Sequence, residues 1–469
     1  MDIFCDKLKE ECGVIGIFQE DINSISRRLC FGLVALQHRG QESAGISVIN
    51  EGKTKYYKDM GLVQEVFDDT ILDKLEGTIG VGHVRYSTTG DSLCENAQPL
   101  VVNMKNTSIS LAHNGNLINA TELRDELYDH GSLFQTSIDS EVIANLIAVN
   151  YEGDMPKAVS KSIARVKGSF ALVIGTNDML IGLRDPFGLR PLVLGKLEGE
   201  GYVFASETCA LDVIGAEFVR NVEKGEMVIV TEKGVESIFY DESQKKRLCS
   251  FEYVYFARPD SDIDEVNVFM ARERAGRILA NESPVEGDMV IAVPDSGIAA
   301  AIGYAKESGI PYGTGLIKNK YLGRTFIKPD QKSRELAVRL KLNVLKENIK
   351  DKRVILIDDS IVRGTTSKKI VTMLRNAGAK EVHVRVSSPP VMYSCYFGID
   401  TPSRKALVGA EKEIQDICDM IGADSLAYIS IDGLKKSIGC GENLCMACFD
   451  GDYPMEVPKK SNKFVFEKN

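Results

Sequence analysis

No apolar run in this chain approaches the roughly 20 residues that a membrane-spanning helix needs. The opening residues, MDIFCDKLKEE, are charged and lack an apolar stretch, which excludes a secretory signal and makes a cytoplasmic location the expectation. Positive charge is not in excess: 57 Lys and Arg stand against 67 Asp and Glu, a net charge of −10. A general nucleic-acid surface is thereby disfavoured, because phosphate backbones demand a basic face. One local basic pocket for a small anion remains compatible with that balance. The string G-x-x-x-x-G-K-[ST] is absent, so no P-loop nucleotide site is indicated. Internal repeats and low-complexity tracts are also missing. The eleven cysteines are odd in number and have no export signal beside them, so a disulfide framework is not expected. Most are read as small buried hydrophobes, Cys30, Cys94, Cys209 and Cys418 among them.

What is present is an ordinary globular composition, 44% apolar and 26% charged, in 469 residues. That length exceeds one ordinary core and predicts two domains. The first half holds short β-type runs broken by glycine, such as GVIGIF, SISLAHNGNL, FALVIGT and MVIVTEKG. Two helical stretches, near residues 24–37 and 139–150, interrupt them. Many strands with few crossover helices predict a layered antiparallel α+β domain. The polar run YDESQKKR at 240–247 marks the boundary. Beyond it, helical stretches at 266–281, 298–307, 333–347 and 366–377 alternate with the continuous apolar strands DMVIAVP, RVILIDD and EVHVRVS. That alternation predicts a doubly wound parallel sheet.

The most specific string is VILIDDSIVRGTTS, residues 354–367. An apolar strand ends in Asp358 and Asp359, and a loop of Arg363, Gly364, Thr365, Thr366 and Ser367 leads into a helix. Ligands of such sheets bind at the carboxyl ends of strands. A glycine-containing loop at a helix N-terminus offers free N–H groups and a favourable dipole to an anion. Capping accounts for one of the threonines. It does not account for two adjacent acids at the strand mouth, which can hold sugar hydroxyls or a hydrated Mg2+ ion.

In the first half, ECGVIGIF sets Cys12 directly before an apolar strand. A thiol needs a base to become a nucleophile. One solution is the residue's own α-amino group, whose pKa of about 7.7–8.0 lies near working pH. That solution requires removal of Met1–Glu11, which then reads as a propeptide; the alternative is a buried strand-edge cysteine. Further on, QHRGQ carries His38, Arg39 and Gly40 in a turn after a helix, and GHVRYS offers Arg85, a fork suited to a carboxylate. LAHNGNL presents Asn114 and Gly115, an amide beside an accessible N–H, which can form an oxyanion hole. SIDSE places Asp139 at a helix start, open to an ammonium group or acting as an N-cap.

Taken in order, these first-half motifs resemble the glutaminase domain of N-terminal-nucleophile glutamine amidotransferases, over roughly residues 12–230. The resemblance implies a four-layer αββα fold. It also implies that Cys12 attacks the glutamine amide, Asn114 and Gly115 stabilise the oxyanion, and Arg85, Asp139, Arg39 and Gly40 bind glutamine. The 354–367 string resembles the phosphoribosyl-pyrophosphate motif of type I phosphoribosyltransferases. Carried over, Asp358 and Asp359 take the ribose and the Mg2+, and Arg363–Ser367 take the 5′-phosphate. AVPDSG (292–297) resembles the pyrophosphate loop, with Ser296 near the Mg2+. KNKYLGRTFI (318–327) resembles the mobile flap, with Lys318, Lys320 and Arg324 balancing the pyrophosphate.

The combination resembles the amidophosphoribosyltransferase family: a propeptide (1–11), a glutaminase domain (12–245) and a phosphoribosyltransferase domain (246–469). It implies that glutamine and phosphoribosyl pyrophosphate are the substrates, that purine nucleotides act as feedback inhibitors, and that the assembly is a homotetramer. From spacing alone, Cys249, Cys395 and the C-x-x-C pair Cys445 and Cys448 are compatible with zinc, which is favoured, with an iron–sulfur cluster or with coincidence. The leader-bearing branch of the family carries a 4Fe-4S cluster, and the resemblance assigns these four cysteines to it, with Cys440 as a spare thiol. A hexosamine-forming amidotransferase shares the glutaminase half but predicts sugar-isomerase domains downstream. A phosphoribosyl-pyrophosphate-sensing regulator would need a DNA-reading module and a basic surface.

Overall fold

The computed structural model describes residues 12–86, 92–199, 201–319 and 342–458. Two antiparallel sheets dominate the first half. The seven-stranded sheet runs in the order Glu217–Asn221, Val193–Lys196, Tyr202–Ala205, Gly13–Phe18, Ile79–Arg85, Ser43–Asn50, Lys53–Met60. The six-stranded sheet runs Gly234–Phe239, Glu226–Thr231, Leu180–Arg184, Gly168–Gly175, Ser108–Leu117, Leu100–Asn103. Successive side chains of a strand point to opposite faces, and Gly13–Phe18 uses both. Val14 and Phe18 join Ala171, Val173 and Val228 of the other sheet in the central core. Ile15 and Ile17 face the helices Ile25–Ala35 and Thr208–Ile214 on the outside. Gly16 permits the close approach of the sheets, since a Cβ there would lie 2.4 Å from Val173 Cγ1.

The far side of the six-stranded sheet is covered by Ala120–Asp129, Ser140–Asn150 and Met155–Ile163. The architecture is therefore helix, sheet, sheet, helix, as expected. The sequence reading, however, saw only two of the helices in this half. Met155–Ile163 was legible: Met155, Ala158, Val159, Ser162 and Ile163 form one buried stripe, and the Asp154 carboxylate caps the helix by accepting Lys157 N–H at 3.0 Å. Ala120–Asp129 was harder to see, because only Ala120, Leu123 and Leu127 supply its apolar contacts.

The second half is built on a four-stranded sheet in the order Met289–Ala292, Arg353–Asp358, Glu381–Val386, Ser425–Tyr428, and every pair is parallel. Helices Val268–Glu282 and Ile298–Ser308 cover one face; Thr365–Asn376 and Ile414–Ile421 cover the other. Burial on both faces explains why these strands read as continuous apolar runs. The helix expected over 333–347 is corrected in part: among the described residues, Leu342–Val344 is a strand paired with Leu316–Lys318, and helix begins at Lys346–Ile349. Residues 333–341 lie outside the described residues. Cys30, Cys209 and Cys418 are buried as expected, but Cys94 is exposed, because it sits on a short 3-10 turn at the surface. None of the described helices is long and apolar enough to cross a membrane.

Candidate active sites

Cys12 immediately precedes the central strand of the seven-stranded sheet, whose neighbour Ile79–Arg85 delivers Arg85 and then Tyr86 alongside it. The Cys12 thiol is 8% exposed and donates to the Tyr86 carbonyl at 3.4 Å. Burial pushes the thiol up to about 11, against the opposing pull of the Tyr86 contact and the Arg85 charge. Arg85, Glu42 and Asp139 all lie within electrostatic reach of the sulfur. Arg85 is almost wholly buried and faces Glu42 at 3.9 Å. Glu42 was not anticipated from the sequence, where an acid in a loop carries no distinguishing signal.

Asn114 and Gly115 occupy the strand Ser108–Leu117 of the facing sheet. Asn114 is 1% exposed, yet neither its amide nitrogen nor its amide oxygen has a hydrogen-bond partner among the described residues. Leaving a buried amide unpaired costs about 1–3 kcal/mol, so a site that tolerates it is one in which a ligand supplies the missing bonds. Asp139 binds this same strand: its Oδ2 accepts Leu117 N–H at 2.9 Å, and its Oδ1 lies 3.7 Å from His113 Nδ1. It stands at the N-cap position of Ser140–Asn150 but its side chain makes no cap bond, which removes the capping alternative. Below it, buried His83 is held down to about 3 by desolvation and is neutral; its Nε2 contacts the His113 carbonyl at 3.1 Å.

The assignment of Arg39 to glutamine is corrected. Its fully buried guanidinium bonds the Glu207 carboxylate through Nε and Glu252 through Nη2 at 2.5 Å. Burial opposes the charge on Glu207, but Arg39, His38 and Ser261 outweigh it and hold the carboxyl far below its usual range. Glu252 belongs to the second half of the chain, so Arg39 clamps the two halves together. Gly40 remains a close-approach position, since a Cβ there would sit 2.6 Å from the Val84 backbone. Replacing Glu252 by Gln strips Arg39 of a buried counter-charge, and Arg190, 3.7 Å from the other carboxylate oxygen, loses it as well. Breaking a buried pair from one side costs about 3–5 kcal/mol. A marked fall in the urea midpoint of Glu252→Gln is the expected result, and an unchanged midpoint would remove the clamp.

In the second half, Asp358 and Asp359 end the central parallel strand and are 2% and 0% exposed. Asp359 gathers the site: its carboxylate accepts the Ser296 hydroxyl on one oxygen and the Ser360 hydroxyl at 2.7 Å on the other. The fully buried Arg272 is its electrostatic neighbour. Ser296 follows the cis bond Pro294–Asp295 at the end of the adjacent strand, and Lys318 reaches Asp295 at 2.8 Å. Three separately predicted segments thus converge. The helix Thr365–Asn376 begins after Gly364, whose φ of 80° suits glycine. Gly364, not a threonine, is the N-cap residue, and the first-turn N–H groups of such a helix favour an anion. Arg324 and Lys320 lie outside the described residues.

The four predicted cysteines also converge. Cys249 and Cys445 sit opposite each other in the parallel pair Leu248–Cys249 and Leu444–Cys445. The Cys448 carbonyl accepts N–H groups from Met392 and Tyr393, which brings Cys395 alongside. Each of the four thiols lies within electrostatic reach of the other three, and none is in a disulfide. Cys440 faces Tyr253, Asp264, Lys246 and Arg274 instead. Among the described residues no group of three or more His, Cys, Asp or Glu is placed to hold a single metal ion.

A buried thiol at the start of a central strand, a buried amide in the sheet packed against it, and an acid pair at the end of a parallel strand just before a helix fit a glutamine amidotransferase joined to a phosphoribosyltransferase. Residues 83–213 match the glutamine amidotransferase domain family, and residues 265–388 match the phosphoribosyl transferase domain family. The amidophosphoribosyltransferase of Archaeoglobus fulgidus is 49% identical over 452 residues, covering 95% of this chain and 98% of that protein. The solved structure of the allosteric regulatory enzyme of purine biosynthesis superposes with a TM-score of 0.93 at 47% identity, over 98% of this chain and 99% of that one. Glutamine phosphoribosylpyrophosphate amidotransferase from Bacillus subtilis, complexed with ADP and GMP, superposes with a TM-score of 0.91 at 47% identity, over 96% and 99%. The chain belongs to the amidophosphoribosyltransferase family. Its reaction converts phosphoribosyl pyrophosphate, glutamine and water to 5-phosphoribosylamine, glutamate and pyrophosphate, in purine biosynthesis.

Proposed function

We propose that the reaction is divided between two sites, residues 12–245 releasing ammonia and residues 246–469 consuming it. Removal of the residues before Cys12 gives that residue a free α-amino group. This base accepts the thiol proton, and the sulfur attacks the glutamine amide carbon. Arg85 and Asp139 bind the α-carboxylate and α-ammonium of glutamine, Gly40 contributes backbone beside them, and Asn114 with Gly115 stabilises the oxyanion. The observation that carries this reading is the buried Asn114 amide with neither end bonded among the described residues. In the second site Asp358 and Asp359 bind the ribose hydroxyls, Arg363–Ser367 bind the 5′-phosphate, and Lys318 with Arg324 faces the pyrophosphate. Ser296, Asp358 and Asp359 form an all-oxygen donor set suited to Mg2+, which when bound neutralises charge on the leaving pyrophosphate. Catalysis there rests on positioning and charge stabilisation.

For Cys249, Cys395, Cys445 and Cys448 we propose a 4Fe-4S cluster. Four mutually neighbouring thiols supply the all-cysteine ligand set that such a cluster takes. Such a cluster ties Cys249, at the start of the transferase half, to the C-terminal segment. Anaerobically purified protein is expected to contain about four iron and four sulfide per chain; stoichiometric zinc without iron overturns the assignment. Purine nucleotides as feedback inhibitors are supported by the ADP and GMP complex of the B. subtilis relative. Homotetramer assembly rests on the family resemblance, and a cytoplasmic location on the charged opening residues of the chain.

A further inference from the structure

The segment Tyr396–Gly398 belongs to the transferase half, where its two rings pack on Tyr453, yet its carbonyls bond residues of the first half. The Tyr396 carbonyl accepts the Asn116 amide N–H at 2.9 Å. The Phe397 carbonyl accepts the Ser169 hydroxyl at 2.7 Å and also the buried Arg190 guanidinium. Ser169 in turn accepts the Asn116 backbone N–H at 3.2 Å, so one hydroxyl bridges the oxyanion strand to the transferase segment. Gly398 completes the contact. A Cβ there would lie 3.3 Å from Gly115 C, 3.4 Å from Gly115 Cα and 2.9 Å from Arg190 Nη2, and its φ is 106°. Gly115 is therefore enclosed on two sides, by Gly398 and by Ser169, whose carbonyl oxygen would stand 2.1 Å from a Cβ on Gly115. The other end of the segment is fixed within the transferase half: Cys395 N–H donates to Thr401 Oγ1 at 2.9 Å, and the Tyr453 hydroxyl donates to the Ser394 carbonyl at 2.6 Å.

We propose that Tyr396–Gly398 is a positioning strut for the oxyanion site, with Gly398 and Ser169 as positioning residues, so that the glutaminase half reaches working geometry only when packed against the transferase half. The proposal rests on the assignment of Asn114 and Gly115 to the oxyanion. The physical reason is that an oxyanion donor works only when held where charge develops, and the strand end bearing Gly115 is paired on one edge alone, by Gly168–Gly175, since the pairing with Leu100–Asn103 reaches only as far as Leu111. Displacing such a donor weakens the transition state more than the ground state, which separates kcat from KM.

The test uses the full chain, with glutamine hydrolysis and ammonia-dependent phosphoribosylamine formation measured side by side. Gly398→Ala is expected to lower the glutaminase kcat at least about tenfold, with KM for glutamine within about threefold, because it moves one donor strand. Ser169→Ala removes a single bridging hydroxyl and is expected to lower the same kcat about threefold to tenfold. Ammonia-dependent turnover stays within about twofold in both, since neither residue touches the phosphoribosyl site. Should Gly398→Ala fail to fold, Ser169→Ala decides. A glutaminase kcat within twofold of the parent overturns the strut, as does a parallel loss of both activities. Retained glutamine hydrolysis in Cys12→Ala would instead overturn the underlying site reading. Loss in Cys12→Ala with unchanged kcat in Ser169→Ala and Gly398→Ala would overturn the strut alone.

Discussion

Cys12→Ala is expected to abolish glutamine-dependent phosphoribosylamine formation while leaving ammonia-dependent formation close to the parent rate. Removal of a nucleophile costs on the order of 10⁴- to 10⁶-fold in turnover when no other group can take its place. The structure supplies the reason for the selectivity. Cys12 sits in the seven-stranded sheet of the first half, whereas Asp358 and Asp359 end a strand of a different sheet in the second. A companion measurement addresses the base. With the preceding residues attached, burial holds the Cys12 thiol at about 11, so at pH 8 only about one molecule in a thousand carries the thiolate. Protein retaining its first eleven residues should therefore alkylate slowly at Cys12, and the rate should climb with pH up to about 11. Processed protein should alkylate fast near pH 8. Equal loss of both activities in Cys12→Ala would sink the two-site scheme.

The second large effect is expected at the phosphoribosyl site. Asp358→Asn should lower kcat/KM for phosphoribosyl pyrophosphate at least about a hundredfold, roughly 2.7 kcal/mol, because a buried carboxylate facing hydroxyl donors loses its charge. Glutamine hydrolysis should change far less. The carboxylate's Oδ1 also accepts Asp359 N–H at 2.9 Å, a bond that an Asn oxygen can retain, so the substitution removes charge without removing the local turn. Unchanged transferase kinetics would eliminate the ribose role for Asp358.

Much of this was written along the chain. The short glycine-broken β runs with few crossover helices in the first half, and the continuous apolar strands alternating with helices in the second, predicted the two sheet types, because each is a local pattern along the chain. The string from Asp358 to Ser367 predicted its site because strand end, loop and helix start are contiguous. Arg39 was misassigned for the opposite reason. Its partners Glu207 and Glu252 lie 168 and 213 positions away, and an arginine in a turn looks the same whether it binds substrate or clamps two halves. Cys94 was misread because one cysteine carries no signal of exposure, and the polar helix Ala120–Asp129 because three apolar contacts make a faint stripe.

By itself, then, the order of residues determined the two fold types, which depend on neighbours within a few positions, and through motifs that resemble a known family it pointed to Cys12 as nucleophile and to Arg363–Ser367 as phosphate loop. Only the tertiary structure showed how the thiols that the resemblance grouped come together: Cys249, Cys395, Cys445 and Cys448 meet through a parallel strand pair and a carbonyl contact, while Cys440, five residues from Cys445, turns to Tyr253 and Asp264. It alone showed Gly398 against Gly115. Proximity between residues hundreds of positions apart is set by packing and hydrogen bonding of whole elements, which no local pattern encodes.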